Sequence, residues 1–198
     1  MKSALIVIDV QESFRQLPDW EYVSQPDIVH QVNRLVAAAR ANDDYVFWIL
    51  GSRPGSGTAF DPIRGHVRLM DGLEPLRCEP VLTKSSHNAF TTTNLQQRLT
   101  QLGVRRLVIS GIRTEQCCET TTRIASDFGY DVVFAIDATA TSPLPSPDAP
   151  ENAPFAALVT DPRTLSAEEV ISRTSYALAG RFATIRTVEQ LVGTSTAL

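Results

Sequence analysis

Three side chains of different chemistry follow short apolar runs: Asp9 after ALIVI (4–8), Lys84 after PVLT (80–83), and Cys117 beyond Gly111 and the run LVIS (107–110). A carboxylate, an ammonium and a thiol are the parts of a nucleophilic centre, in which a base takes the proton from sulfur and a cation steadies the charge that forms. Each alone has an ordinary explanation, since a carboxylate after a strand commonly caps a turn and a lysine there is commonly solvated. Their joint occurrence on separate strand ends points to chemistry. The stretch GIRTEQCCET (111–120) sharpens this, because Thr114 is expected to cap a helix that starts near Glu115, which puts Cys117 in its first turn. Unpaired N–H groups of a first turn, helped by Lys84, favour a thiolate, so the Cys117 pKa is expected below that of an ordinary thiol. Cys118 lies about 100° further round the same helix and is expected to pack on the sheet. Cys78 has no evident partner and is expected to be incidental.

The elements that must position these residues show in the hydrophobic pattern. Apolar runs at 4–8, 45–50, 80–83, 107–110, 132–136 and 182–185 predict short strands buried on both faces. Between them Ile28, Val32, Leu35, Val36 and Ala39 recur at helical spacing within 27–42, and Leu95, Leu99 and Leu102 within 93–102. The predicted fold class is α/β: a single doubly wound, Rossmann-like domain over 1–198, with a six-stranded, mostly parallel sheet and helices on both faces. In such a sheet, ligands collect beyond the carboxyl ends of the strands, near the point where strand order reverses, and Asp9, Lys84 and Cys117 belong to that edge. Segments 51–65 (GSRPGSGTAFDPIRG) and 142–163, which is rich in proline, read as loops.

Composition narrows the function further. A net charge of −4 leaves no basic excess to hold phosphate backbones, so nucleic acid is not an expected partner. The opening MKSALIVIDV meets an aspartate too soon for a signal sequence or a membrane span, and a cytoplasmic protein with no membrane partner is expected. Three cysteines make an odd count without framework spacing, so disulfides are not expected to hold the fold. The first strand lacks the G-x-G-x-x-G turn of a dinucleotide site, and no cofactor is expected.

Four blocks carry a resemblance to a known family: LIVIDVQESF (5–14), LTKSSHNAFTTTNLQQRLTQLGV (82–104), LVISGIRTEQCCETTTRIASDFGYDVVFAIDATAT (107–141) and AGRFATIRTVEQL (179–191). In this order they resemble the isochorismatase-like cysteine hydrolases, which include nicotinamidases, N-carbamoylsarcosine, ureidoacrylate and maleamate amidohydrolases, and isochorismatase itself. The resemblance implies a catalytic triad of Asp9, Lys84 and Cys117. It also implies a cis peptide between Ile112 and Arg113, and an oxyanion hole made by the backbone N–H groups of Arg113 and Cys117. Dimers or tetramers are common in the family, which implies a homo-oligomer and makes 142–163 a candidate to close a neighbour's active site.

Departures from the family pattern bear on the substrate. Nicotinamidases carry D-x-H-P after the second strand, whereas this chain reads GSRP, with Gly51 and Arg53 where Asp and His would stand. No metal is expected, since His66 alone does not make a site that wants three or four ligands. Gln11, Phe14, Trp20, Arg53 and Phe90 are candidate substrate contacts, and Arg53 and Arg113 are candidates to grip a substrate carboxylate. The expected reaction is metal-independent cleavage of a C–N bond in a small amide or carbamoyl (ureido) compound through a thioester. An isochorismatase-type vinyl ether hydrolase, which needs no thiol, and a non-catalytic or redox-sensing member of the fold remain as alternatives.

Overall fold

Alternation along the first strand sorts the core into two layers. Ala4, Ile6 and Ile8 pack with Leu95, Leu99, Ala125 and Leu178 on one face of the sheet, and Leu5 and Val7 pack with Ile28, Val32, Leu35 and Val36 on the other. That is what a strand buried on both faces requires, because successive side chains point to opposite sides. The computed structural model describes residues 2–193. In chain order the regular elements are β1 (Lys2–Ile8), α1 (Glu12–Arg15), α2 (Ile28–Ala41), β2 (Tyr45–Gly51), β3 (Val81–Lys84), α3 (Leu95–Gln101), β4 (Val104–Ile112), α4 (Glu119–Asp127), β5 (Asp131–Ala140), α5 (Phe155–Val159), α6 (Ala167–Leu178), β6 (Thr184–Arg186) and α7 (Val188–Gly193).

The strands form one parallel sheet in the order β3-β2-β1-β4-β5-β6. Helices α2 and α7 cover one face, and α3, α4 and α6 the other. Strand order reverses between β1 and β4, so the crevice for a ligand opens beyond the carboxyl ends of those two strands. All six predicted strands are present. β4 and β5 run past their apolar cores to Ile112 and Ala140, because Gly111 still pairs with Thr139 and Ile112 with Ala140, and all four are buried. Helix α6 has no counterpart in the hydrophobic pattern. Its buried stripe of Ala167, Val170, Thr174 and Leu178 includes a threonine and an alanine, which weakens the apolar signal, although Ser166 and Glu169 form a capping box at its start.

Gly111 ties the two central strands together at the reversal point. It pairs with Ile8, its φ is +131°, and a Cβ there would lie 1.9 Å from the Ile8 carbonyl oxygen. No side chain fits without the strands parting. Gly111→Ala is therefore expected to destabilise the fold by on the order of 3 kcal/mol or more, read as a shift in the denaturant midpoint. An unchanged midpoint would mean that β1 and β4 can separate at no cost. No helix among the described residues is long and apolar enough to cross a membrane.

Candidate active site

Asp9 follows β1 directly and takes a left-handed conformation, with φ +54°. Its N–H donates to the Ile49 carbonyl at 2.8 Å, so the turn out of the sheet happens within one residue. Aspartate is among the few side chains that tolerate this region. The neighbouring strand end is fitted to it: a Cβ on Gly51 would lie 3.3 Å from Asp9 Oδ1, close enough to crowd the carboxylate. Gln11 holds Gly51 in place, its side chain donating to the Gly51 carbonyl at 3.0 Å and accepting from the Gly51 N–H at 2.7 Å. That amide is wholly buried and has both ends engaged, so the expectation that Gln11 touches substrate is corrected. It positions the end of β2 instead.

Lys84 closes β3, paired in register with Gly51. Its Nζ lies 2.7 Å from Asp9 Oδ2 and donates to Cys117 Sγ at 3.3 Å and to the Ser86 carbonyl at 3.1 Å. All three ammonium hydrogens are thus used, as a buried cation requires. Burial works against the charge of Lys84, but the charge of Asp9 and the hydrogen bonds to Asp9 and Cys117 outweigh it and raise the pKa. Lys84 stays an ammonium ion.

The segment that carries the thiol differs from expectation. Thr114–Cys118 is a π-helical turn leading into α4, and the Arg113 carbonyl accepts from the N–H groups of both Gln116 (3.2 Å) and Cys118 (3.1 Å). Thr114 does not cap it, for its hydroxyl donates to Thr139 Oγ1 at 2.9 Å. The Ile112–Arg113 peptide bond just before the turn is cis. Thr121, which no sequence signal singled out, braces the turn by donating to the Cys117 carbonyl at 2.6 Å while accepting from the Ala89 N–H at 3.1 Å. Cys118 is fully buried in the core under the sheet, as its position on the helix predicts.

The expected low thiol pKa is also reversed. Burial, reinforced by the negative charge of Asp9, pushes the Cys117 thiol up to about 12, with Lys84 pulling the other way. Burial likewise raises the Asp9 pKa above its ordinary value, although Lys84 opposes it. The helix-start effect that favours a thiolate in water is overtaken by desolvation, because only 8% of Cys117 is exposed. In the resting site sulfur keeps its proton, and Asp9 carries the negative charge against Lys84. Besides its pairing with Lys84, the Asp9 carboxylate interacts directly with the Cys117 thiol. A carboxylate placed in this way is suited to take the thiol proton.

These three residues open on a cavity of about 260 Å³, which Phe14, Arg53 and Arg113 also line. Phe90 and Trp20 do not line it. Phe90 sits in the core, edge-on to Phe128 and stacked on Tyr130, so its expected substrate role is corrected. Trp20 packs on the opposite core, and the expectation for it is corrected as well. The Arg113 guanidinium is paired with Asp19 and lies over the Phe14 ring, 5.6 Å from its centre. Its charge is thereby answered within the protein. Lining residues that the pattern did not reveal include Leu17, Phe60, Ser85, His87 and Gln116. Phe60 meets Phe14 edge-on at 5.0 Å, making an aromatic wall. Its location in a loop gave no periodicity to read. No group of three or more His, Cys, Asp or Glu side chains among the described residues is placed to hold a metal ion. At the end of β2 and just beyond it the chain offers a glycine with a clamped backbone, a serine and an arginine, a donor set that does not fit one.

Known proteins share this architecture. The family model described as the isochorismatase domain matches residues 3–160. A streptothricin hydrolase from Streptomyces noursei is 34% identical over 145 residues, 72% of this chain and 56% of that protein. A ureidoacrylate amidohydrolase from Klebsiella pneumoniae is 27% identical over 172 residues, 70% of this chain and 73% of that protein. The crystal structure of an isochorismatase from Pseudomonas putida superposes with a TM-score of 0.81 at 28% identity, covering 95% of this chain and 89% of that one.

Proposed function

The chain belongs to the isochorismatase family and is a hydrolase, and from that footing we propose that it cleaves a C–N bond of a small amide or carbamoyl (ureido) compound through a thioester on Cys117, without a bound metal. The observation that carries this reading is one ammonium, Lys84 Nζ, held 2.7 Å from a carboxylate oxygen and 3.3 Å from a thiol sulfur, all three lining one cavity. A streptothricin hydrolase and a ureidoacrylate amidohydrolase among the relatives support hydrolysis of this kind.

The chemistry follows from the protonation states. When a substrate carbonyl sits over sulfur, Asp9 takes the Cys117 proton, sulfur bonds to the carbonyl carbon, and the π electrons move onto oxygen. Backbone N–H groups of Arg113 and Cys117 receive that oxyanion, and a donor of this type typically lowers the barrier by about 3 kcal/mol. Collapse breaks the C–N bond, and the nitrogen leaves with the proton held on Asp9. Water then attacks the thioester while Asp9 takes its proton, and the acid departs as the thiol re-forms. The raised Asp9 pKa brings base and thiol closer together, so the first transfer is less uphill than an ordinary carboxylate would make it.

Ammonia release measured over primary amides, ureido acids and carbamoyl amino acids tests the reaction. At least one class is expected to turn over, and acid-quenched protein is expected to gain the acyl mass on the peptide containing Cys117. Turnover with no adduct on that peptide, in quenches fast enough to catch one turnover, would count against the thioester.

A further inference from the structure

The charges around the cavity do not balance. Lys84 is matched by Asp9 and Arg113 by Asp19, but Arg53, which lines the same cavity, forms no salt bridge among the described residues. The nearest acid on its own loop, Asp61, has its carboxylate engaged by the N–H groups of Gly57 (2.9 Å) and Ile63 (3.3 Å) and does not line the cavity. An exposed arginine is ordinarily just solvated. This one, however, is built into the wall. Its N–H donates to the Phe60 carbonyl at 2.8 Å, and Phe60 packs edge-on against Phe14 on the same wall. The loop that carries it is braced, since the Ser56 N–H donates to the Arg53 carbonyl at 3.2 Å and Arg64 Nε donates to the Gly57 carbonyl at 3.3 Å.

We infer that Arg53 selects substrates that carry a carboxylate away from the scissile C–N bond, and that it is a specificity-determining residue of this site; the inference rests on the reaction proposed above. A guanidinium offers a planar fork that matches a carboxylate, and Phe14 and Phe60 offer a flat apolar surface beside it. The substrate class is therefore a small amide or ureido acid whose anionic end meets Arg53 while its carbonyl meets Cys117. A neutral amide would leave the excess positive charge of the cavity unanswered.

Alkylation of Cys117 by iodoacetate, an anion, against iodoacetamide, its neutral counterpart, reads this field without a known substrate. Both reagents meet the same thiolate fraction, so the ratio of their rates cancels the thiol's pKa. Incubation at about pH 9 ionises enough of a high-pKa thiol to follow by peptide mass. Cys78, which is exposed and does not line this cavity, provides an internal reference. Arg53→Gln is expected to lower the iodoacetate-to-iodoacetamide ratio at Cys117 by about five-fold or more, Arg53→Lys to keep most of it, and neither to move the ratio at Cys78. An unchanged ratio at Cys117 in Arg53→Gln, or an equal fall at Cys78, would overturn the assignment. The two readings separate cleanly: a thioester that forms while the ratio stays fixed removes Arg53 alone. A ratio that falls while no thioester forms keeps the anion site and removes the reaction.

Discussion

Cys117→Ala is expected to lower kcat for any amide the protein turns over by about five orders of magnitude or more, the scale seen when a covalent nucleophile is deleted. Without sulfur there is no thioester, and water would have to attack the amide directly from a site shaped around a bulkier atom. The fold should hold. Alanine fills most of the volume of a thiol that is nearly buried, so a loss of about 1 kcal/mol is expected, well within what a domain of this size tolerates. Lys84 keeps Asp9 and the Ser86 carbonyl as partners when Sγ is gone, so the buried ammonium remains paired. Ammonia release beside a thermal melt of the same sample checks both halves. A melt near that of the parent with turnover retained would show that Asp9 and Lys84 activate water without the thiol, as the ether-hydrolase alternative requires. A loss confined to kcat would favour the covalent route.

Much of this site is visible in the sequence because strand ends are. Asp9, Lys84 and Cys117 each stand beyond an apolar run, and a parallel sheet obliges such residues to share one edge. Which side chains then face the cavity is a tertiary matter. Gln11 looks like a substrate contact until its amide is seen to close on the backbone of Gly51, on the adjacent strand. Arg113 looks like a carboxylate grip until Asp19, from the segment after α1, is seen to neutralise it. Phe90 is two residues from Asn88, whose side-chain Oδ1 accepts from the Phe90 N–H at 2.9 Å, and its ring lies in the core. The direction of the Cys117 pKa fails for the same reason. Charge and helix position can be read along the chain, but desolvation depends on how deeply sulfur is covered, and here it outweighs both.

Asp9→Asn is the sharper probe of mechanism, with kcat expected to fall by about a thousand-fold or more, since one carboxylate serves as base, acid and base again. Asparagine keeps the shape and tolerates φ +54°, so backbone strain is not added. It removes the charge opposite Lys84, however, and breaking a buried pair costs about 3 kcal/mol or more, so a lower melting temperature accompanies the lost activity. The pH profile separates the two effects. In the parent protein Asp9 must be ionised to accept the thiol proton, and burial holds its pKa above the ordinary carboxylate value of 3.8. The acid limb of kcat/KM is therefore expected above that value, with activity falling as pH drops through it. In Asp9→Asn that limb should vanish, because no carboxylate remains to protonate. Residual activity should instead climb with pH, as hydroxide rather than the side chain removes a proton from a thiol whose pKa in the parent is about 12. A merely structural role for Asp9 would lower the melt and the rate while leaving the acid limb where it was. That unchanged limb, with turnover restored at a temperature where the variant is folded, would take Asp9 out of the reaction.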